Sequence, residues 1–366
     1  MENVLERMAR ENSKQEMAEF ILKQKQPYEF KIRYAENLAR EFVRECGKRG
    51  LNYHVSVGGL DSITLFLFLK DIGIDAPGIS VSFLEDSSIQ RVHKQLGIER
   101  LPAATRPDGT HWTKAKVLQE FGFPVLSKEI AAKIELLQNP SEKNKTVRHA
   151  IITGETGEYG GWQKHSRMKM SQKWLELFGG YENETEGVHY QIPDFKVSAK
   201  CCYYLKEKPC DDWAKKNNSV PFLGLMASEG GRREKALKLH GCNYFGKTST
   251  RSAPFAIFTR QDLLQLALDL NVPVPEIYGS IERKEDGTLY TTKAQRTGCS
   301  MCGFGIHLEK RPHRFDQLRE RNEKQWEYWM YQCCKDEQGQ PFGWAKVLDY
   351  IGVEYLRPFE VRSNEI

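Results

Sequence analysis

A glycine turn between an apolar strand and an apolar helix constrains the fold of this chain most strongly. Residues 53–57 have the pattern of a short strand, Gly58 and Gly59 form a turn, and residues 62–71 have the pattern of a helix. A second apolar strand is predicted at 79–84. Strands that alternate with helices over about 30 residues are typical of a parallel sheet. The sequence therefore predicts an α/β fold with a doubly wound, mostly parallel sheet and a helical, cysteine-bearing C-terminal part.

The pattern of residues divides the chain into five segments. They are an N-terminal helical segment (1–50), the first part of the α/β core (51–138), a polar, glycine-rich basic insertion (139–196), a continuation of the core that carries cysteines (197–310) and a C-terminal helical region (311–366). Within them we expect a strand at 223–226 and helices at 89–97, 111–121, 229–240, from Thr259 onward and at 313–335.

The composition is that of a globular protein. Apolar residues make up 40% and charged residues 28% of the 366 residues, which excludes long disorder and collagen-like fibres. The net charge of +5 permits a polyanionic partner without requiring one. No run of about 18 apolar residues occurs, and the first residues lack the pattern of a signal peptide. We therefore expect a cytoplasmic protein with no membrane partner, whose nine cysteines are reduced.

The glycine turn has the features of a phosphate-binding site. Glycines allow the backbone to approach phosphate oxygens, and the N-terminus of a helix offers N–H groups to an anion. Asp61 is a candidate ligand for Mg²⁺ and Ser62 a candidate donor to phosphate, so both are candidate catalytic residues. The turn is not a Walker motif, because the terminal Gly-Lys-Ser/Thr is missing. From these residues alone, a tight turn without a ligand remains the alternative.

Four cysteines form a pattern that favours metal binding. Cys201 and Cys202 are adjacent, and Cys299 and Cys302 are separated by two residues. Adjacent cysteines chelate one small ion awkwardly, whereas four thiolates are the normal ligand set of a 4Fe–4S cluster. Structural zinc and inert buried cysteines are the alternatives. For the isolated Cys46 we expect the inert, buried role.

The glycine turn and the cysteines together resemble a known family. Residues 57–62, Val-Gly-Gly-Leu-Asp-Ser, resemble the PP-loop motif Ser-Gly-Gly-x-Asp-Ser of the adenine-nucleotide α-hydrolase superfamily. A Cys-Cys pair followed much later by Cys-x-x-Cys is similar to the cluster pattern of adenylyl-sulfate reductases. The combination resembles the phosphoadenosine phosphosulfate (PAPS) reductase family, and most of all its uncharacterised, reductase-like branch. The similarity covers roughly residues 50–310 and includes the segments 123–129, 224–232 and 296–299.

One position departs from the PP-loop motif. The first serine is replaced by Val57, with Ser56 one place earlier, and valine cannot donate a side-chain hydrogen bond. The retained Asp61 and Ser62 resemble the ATP-cleaving members of the superfamily more than the reductases.

The resemblance implies an enzyme that binds an adenine nucleotide and a 4Fe–4S cluster. One hypothesis is ATP-dependent thiolation, in which Mg²⁺-bound ATP adenylates an acceptor oxygen and sulfur displaces AMP. The acceptor would be a nucleic acid or a small molecule, and the sulfur would come from a donor protein or from the cluster. The alternative is reduction of adenylyl sulfate or PAPS to sulfite with electrons from a donor protein. The retained Asp61 favours thiolation.

The resemblance also assigns roles to residues outside the turn. Glu229 and Arg232, one helical turn apart, are expected near the nucleotide, with a surface ion pair as the alternative. Arg251 is a candidate phosphate ligand, and Arg260 is interpreted as a surface charge. Cys242 is the substitute cluster ligand if Cys201 does not bind.

The reductase hypothesis needs a nucleophilic cysteine. Sulfonucleotide reductases of the family carry it in a C-terminal Glu-Cys-Gly-x-His tail, and residues 355–366 contain no cysteine. S-sulfocysteine formation depends on that thiolate, so this departure favours thiolation. Cys333 and Cys334 are the candidate substitutes.

A basic stretch motivates a hypothesis of another class, a nucleic-acid-binding protein with a structural cluster. Cationic side chains next to aromatic rings are typical of nucleic-acid grooves, although a solvated loop face is the more common role. The stretch comprises Lys164, His165, Arg167, Lys169 and Lys173, with Trp162 and Trp174 beside it.

Overall fold

The computed structural model describes residues 15–155, 168–180, 182–183, 188–246 and 249–358. The α-helices are α1 (Tyr28–Lys48), α2 (Leu60–Asp71), α3 (Ser87–Gln95), α4 (Lys114–Phe121), α5 (Lys128–Gln138), α6 (Lys145–Thr153), α7 (Gln172–Phe178), α8 (Lys200–Cys202), α9 (Lys208–Lys216), α10 (Gly231–His240), α11 (Arg260–Asp269), α12 (Arg314–Arg321), α13 (Glu323–Tyr331) and α14 (Trp344–Tyr350). Residues 15–24 are also helical, and a π-helical turn spans Tyr203–Glu207.

The strands are short. They are β1 (Asn52–Ser56), β2 (Gly78–Ser80), β3 (Glu99–Arg100), β4 (Glu182–Asn183), β5 (Val188–His189), β6 (Ser219–Phe222), β7 (Asn243–Phe245), β8 (Thr250–Ser252), β9 (Ile281–Arg283), β10 (Leu289–Thr291), β11 (Cys334–Lys335) and β12 (Pro341–Phe342). The chain forms two compact units, unit 1 (Met1–Pro102 and Lys208–Ser300) and unit 2 (Ala103–Glu207 and Met301–Ile366). The five segments drawn from the sequence stay a prediction.

A six-stranded sheet organises unit 1. Its strand order is β3-β2-β1-β6-β8-β7, in which all neighbours are parallel except the antiparallel edge pair β8–β7. The prediction of an α/β fold with a mostly parallel sheet is therefore confirmed. The strand order reverses between β1 and β6, which lie side by side with Asn52 opposite Ser219. In open parallel sheets, ligands bind outside the carboxyl ends of the strands at such a reversal.

Helices α1 and α2 differ in how they are buried. In α1 the buried residues recur every three or four positions, from Ala35 and Leu38 to Phe42 and Cys46, which is the pattern of one buried face. In α2 seven of twelve residues are buried, from Leu60 to Leu69, so this helix is apolar around most of its circumference. The α2 helix is thereby fixed in the core of unit 1, and its N-terminus is fixed with it.

Unit 2 is built around aromatic rings contributed by helices and loops. Trp344 begins α14 and is fully buried, with ring centroids 4.9 Å from Phe123 and 5.2 Å from Phe315, both in edge-on geometry. Edge-on pairs at such distances stabilise a core beyond the area that they bury. The side chains of Thr113 and Ser127 cap α4 and α5 by accepting backbone N–H groups.

Three predicted elements differ from the structure. The strand expected at 79–84 is β2, Gly78–Ser80, and Ser82–Leu84 forms a short 3₁₀ helix instead. The helix expected at 313–335 is two helices, α12 and α13, because Asn322 leaves helical geometry and its side chain caps α13 by accepting from the Gln325 N–H. The strand expected at 223–226 is β6, Ser219–Phe222, and residues 223–226 follow it. A proline within a run usually argues against a strand, yet Pro221 lies in β6 opposite His54 of β1. Among the described residues, no helix is both long and apolar enough to span a bilayer.

Candidate functional site

A polar cleft lies where β1 and β6 end in unit 1. It has a volume of about 590 Å³. The segments that follow the two parallel strands form part of its wall, and the stretch 295–297 forms another part. The lining residues are Ser56, Gly58, Gly59, Asp61, Ser62, Leu223, Gly224, Leu225, Glu229, Gly230, Tyr278, Gln295, Arg296 and Thr297. The cleft thus contains the predicted glycine turn together with residues from three later parts of the chain.

The glycine turn is held by its own hydrogen bonds. The Gly58 N–H donates to the Ser62 hydroxyl at 2.7 Å, and that hydroxyl donates to the Gly59 carbonyl at 3.0 Å. His93 Nε2 donates to the Gly58 carbonyl at 2.8 Å, since a carbonyl oxygen only accepts. Val57 is buried, whereas Ser56 borders the cleft. The serine that precedes the motif is therefore the one that faces the cleft, and the valine belongs to the core.

Close packing explains why residues 224 and 59 are glycines, but it does not explain Gly58. A Cβ at Gly224 would lie 2.9 Å from Ser62 Cα and 3.0 Å from Ser62 N, so any side chain there would push against the first turn of α2. A Cβ at Gly59 would overlap the Tyr278 hydroxyl. At Gly58 it would meet only Ser62 Oγ, at an ordinary 3.8 Å. The steric need for glycine is therefore strong at 224 and 59 and weak at 58.

Asp61 is paired with Arg260, the residue that the sequence analysis interprets as a surface charge. Arg260 Nη1 donates to Asp61 Oδ1 at 2.6 Å, and both side chains are less than a third exposed. That interpretation of Arg260 is wrong, because α11 begins beside the start of α2 and directs the guanidinium to the carboxylate. Burial raises the pKa of Asp61, and the Arg260 charge works against that shift. Desolvation thus disfavours the charged form of Asp61, and the Arg260 guanidinium offsets part of that effect.

A second carboxylate, that of Glu229, faces the same cleft. Its side chain is only 5% exposed, and Arg296 Nη2 lies 3.8 Å from its Oε1. The negative charge of Glu229 also raises the pKa of Asp61, which shows that the two carboxylates interact. Arg296 is 64% exposed and is therefore able to move toward a ligand. Two acidic and two basic side chains thus meet at the glycine turn.

Two hydroxyl groups complete the wall of the cleft. The Leu60 N–H donates to the Tyr278 hydroxyl at 3.1 Å, and that hydroxyl lies 2.7 Å from Thr297 Oγ1. Tyr278 is 3% exposed. Burial raises the pKa of Tyr278, so the phenol is neutral near neutral pH.

The other predicted nucleotide ligands lie away from the cleft lining or outside the described side chains. Arg251 is on β8, and its guanidinium is stacked on the Tyr244 ring, 5.2 Å from the centroid, next to the sheet edge. Arg232 is in the first turn of α10, and its side chain lies outside the described part of the structure. The structure therefore brings together Gly58, Gly59, Asp61, Ser62 and Glu229 but does not place Arg251 with them.

The four candidate cluster cysteines divide between the two units. Cys299 belongs to unit 1, and Cys201, Cys202 and Cys302 belong to unit 2. Cys201 is buried and the other three are partly buried. Within the described ranges, no three His, Cys, Asp or Glu side chains are grouped so as to hold one metal ion. Four thiols match a 4Fe–4S cluster in number and in chemistry, and the cluster stays a prediction from the sequence.

The substitute ligand Cys242 is in the apolar core of unit 1. Burial raises the pKa of its thiol to about 11, and Tyr34 forms a hydrogen bond with it. A cluster ligand is a thiolate, so this environment disfavours Cys242 as the substitute ligand. Cys46 is fully buried, as predicted, and burial raises the pKa of its thiol to about 11 as well.

Cys333 and Cys334 lie in the core of unit 2. They are 6% and 2% exposed, and Cys333 Sγ donates to the Trp329 carbonyl at 3.3 Å. Its interaction with the adjacent Cys333 thiol, together with burial, raises the pKa of the Cys334 thiol. A nucleophilic cysteine needs an accessible thiolate, so these surroundings disfavour either residue as the nucleophile of a reductase.

Most of the basic stretch lies outside the described residues. This applies to Trp162, Lys164, His165 and Arg167. Trp174 is described and is buried at 7% exposure, so its ring packs in the core of unit 2 and does not offer a face to nucleic-acid bases.

Comparison with known proteins assigns no family. No protein-family model, curated protein or solved structure matches the chain. The fold and the geometry therefore define the class of the site, which is a polar cleft at the carboxyl edge of a mostly parallel α/β sheet.

Several cleft residues were not predicted from the sequence. Arg260 and Tyr278 are separated by 199 and 218 residues in the chain from Asp61 and Leu60, which they contact. Arg296 and Gly224 lie in segments that contributed to the family resemblance, and that resemblance was the one signal that pointed toward them.

Proposed function

We propose that the cleft of unit 1 binds the phosphates of ATP together with Mg²⁺. The observation that carries the proposal is the convergence of Asp61 and Glu229, with Arg296, on a glycine turn at the N-terminus of α2. Phosphates bind at the N-termini of helices and pair with guanidinium groups, and Mg²⁺ prefers carboxylate oxygens. The cleft volume of about 590 Å³ also suits a small-molecule ligand.

Different residues of the cleft would bind the metal ion and the phosphates. Asp61 and Glu229 fit Mg²⁺, because both carboxylates border the cleft and lie close enough to influence each other. Bound there, the metal ion would polarise phosphoryl oxygens. The backbone of Gly58 and Gly59 approaches the phosphates, and the exposed guanidinium of Arg296 pairs with their charge.

The reaction that we propose is ATP-dependent thiolation. An acceptor oxygen bonds to the α-phosphorus of ATP, the bond to the bridging oxygen breaks, and pyrophosphate leaves. A sulfur nucleophile then displaces AMP from the adenylated acceptor. The acceptor is a nucleic acid or a small molecule, and a donor protein supplies the sulfur. A 4Fe–4S cluster, if held by Cys201, Cys202, Cys299 and Cys302, would supply sulfur or electrons.

The alternative, reduction of adenylyl sulfate or PAPS to sulfite, would use the same phosphate-binding features. It needs a cysteine thiolate that attacks sulfur. Cys333 and Cys334 are both buried, and the pKa of the Cys334 thiol is raised. These surroundings disfavour either residue as that nucleophile. The structure therefore supports thiolation better.

The test is a parallel incubation of protein purified without oxygen, whose iron and sulfide contents are measured first. With Mg-ATP alone, water takes the place of the acceptor oxygen at the α-phosphorus, so the products should be AMP and pyrophosphate. Asp61→Asn should lower the rate by about tenfold or more, because a metal ligand is lost. The matched control is Asp286→Asn, an exposed aspartate of unit 1 that does not line the cleft. Sulfite from adenylyl sulfate with ATP untouched would replace thiolation by reduction. Equal Mg-ATP binding by both variants in titration calorimetry would refute the role of Asp61.

A further inference from the structure

Two contacts in the cleft hold protein groups at the positions that a magnesium–phosphate ligand would use. The Leu60 N–H, at the start of α2, donates to the Tyr278 hydroxyl at 3.1 Å. Asp61 Oδ1 accepts from Arg260 Nη1 at 2.6 Å. An N–H group at a helix N-terminus is a typical anion ligand, and a carboxylate is a typical cation ligand.

The Tyr278 hydroxyl and the Arg260 guanidinium belong to one continuous stretch of chain, residues 260–297. The Tyr278 hydroxyl lies 2.7 Å from Thr297 Oγ1, and Arg260 Nη2 donates to the Gln295 carbonyl at 3.1 Å. Residues 295–297, which border the cleft, thus hold the hydroxyl and the guanidinium together. The hydroxyl lies directly against the turn, because a Cβ at Gly59 would overlap it.

We infer that Tyr278 and Arg260 are positioning residues that compete with a magnesium–phosphate ligand. Tyr278 competes for the Leu60 N–H, and Arg260 competes for the Asp61 carboxylate. Phosphate displaces the Tyr278 hydroxyl from the Leu60 N–H, and Mg²⁺ displaces the Arg260 guanidinium from Asp61. The inference rests on the proposed function and adds an exchange step to it. Because each contact must break before the ligand takes its place, each lowers the affinity of the cleft. The released guanidinium then lies beside the phosphates and is able to pair with them.

The first test uses pyrophosphate with Mg²⁺ as the probe. Tyr278→Phe keeps the ring but removes the hydroxyl, so the Leu60 N–H has lost its competitor. We expect pyrophosphate to bind about fivefold more tightly, the effect of one typical hydrogen bond. The matched control is Tyr290→Phe on β10. The Tyr290 hydroxyl donates to Glu282 at 3.1 Å, and neither residue lines the cleft. Its pyrophosphate affinity should equal that of the wild type.

The second test uses Mg²⁺ alone and does not depend on Tyr278. Arg260→Gln removes the positive charge beside Asp61, so Mg²⁺ should bind about fivefold more tightly than to the wild type. Adding Asp61→Asn to this variant should abolish the gain, which assigns the effect to that carboxylate.

The outcomes separate this inference from the proposed function. If the wild type binds Mg-pyrophosphate and Tyr278→Phe binds it equally or more weakly, the hydroxyl is no competitor and the inference fails alone. If Arg260→Gln binds Mg²⁺ equally or more weakly than the wild type, the guanidinium is no competitor, and again the inference fails alone. If neither the wild type nor Tyr278→Phe binds Mg-pyrophosphate, the inference and the proposed function fail together.

Discussion

Unit 1 brings charged and polar side chains together at the carboxyl edge of a parallel sheet, whereas unit 2 closes around the aromatic rings of its helices and loops. In unit 1 the buried polar groups come in pairs, such as Lys31 with Asp262 at 2.7 Å and His54 with Ser219 at 2.8 Å. In unit 2 the fully buried Trp344 contacts the rings of Phe123 and Phe315.

The two units should respond to different kinds of substitution. A buried polar pair depends on protonation and on exact partners, because an unpaired polar group in a core is costly. An aromatic core depends on shape and volume instead. Changes of charge at these polar pairs should therefore weaken unit 1, and changes of volume at these rings should weaken unit 2.

The largest expected effect is on the aromatic core of unit 2. Trp344→Ala should lower the free energy of unfolding by about 3–5 kcal/mol, the usual cost of removing a buried aromatic ring. Trp344→Phe should cost less than about 1.5 kcal/mol, since most of the volume remains. The indole Nε1 has no hydrogen-bond partner among the described residues, so the phenylalanine loses no bond. Denaturant titrations check both values, and equal costs would mean that volume does not decide the stability of unit 2.

The next effect is the acid sensitivity of unit 1. Burial lowers the pKa of His54 to about 4, below its ordinary value of 6.5. The folded form therefore resists protonation, so the stability that depends on neutral His54 is complete above pH 6.5 and is lost as the pH falls toward 4. The shift corresponds to about 3 kcal/mol at the lower end.

The measurement is the free energy of unfolding from pH 7 to pH 4. His54→Gln should be less stable at neutral pH but should lack this part of the slope, because glutamine does not titrate. The same slope in the variant and in the wild type would assign the acid sensitivity to other groups.

The smallest of these effects concerns the close packing behind the cleft. Gly224→Ala places a methyl group against the first turn of α2. We expect a loss of about 1–3 kcal/mol in stability from overpacking, and an affinity for Mg-ATP that is about tenfold lower because the turn moves. Gly58→Ala, where a Cβ meets only an ordinary contact, is the control for stability. If Gly58→Ala were as destabilising as Gly224→Ala, close packing at 224 would not explain the requirement for glycine.

The parts of the fold that sequence alone predicts are those set by local pattern. The apolar strand, the glycine turn and α2 lie next to one another in the chain, so their order predicted a parallel sheet and a phosphate-binding turn. The helix expected from Thr259 onward is α11, with the Thr259 side chain as its cap and Asp262 completing the capping box. By contrast, the break at Asn322 was missed because the apolar pattern continues across it.

Contacts between distant residues were beyond local pattern. Arg260 is 199 residues from Asp61 and follows a capping threonine, a position where a charged side chain is usually exposed. Tyr278 is 218 residues from Leu60, and its hydroxyl reaches the turn only because of how the following hairpin, β9–β10, and residues 295–297 fold back. The sequence therefore predicts the glycine turn of the site but not its contacts with Arg260 and Tyr278.

The most direct test of the central claim is a structure determined with Mg²⁺ and a non-hydrolysable ATP analogue. We expect phosphates over Gly58 and Gly59, Mg²⁺ on Asp61 and Glu229, and Arg260 released from Asp61. A triphosphate bound elsewhere in the molecule, with the Asp61–Arg260 pair intact, would contradict it.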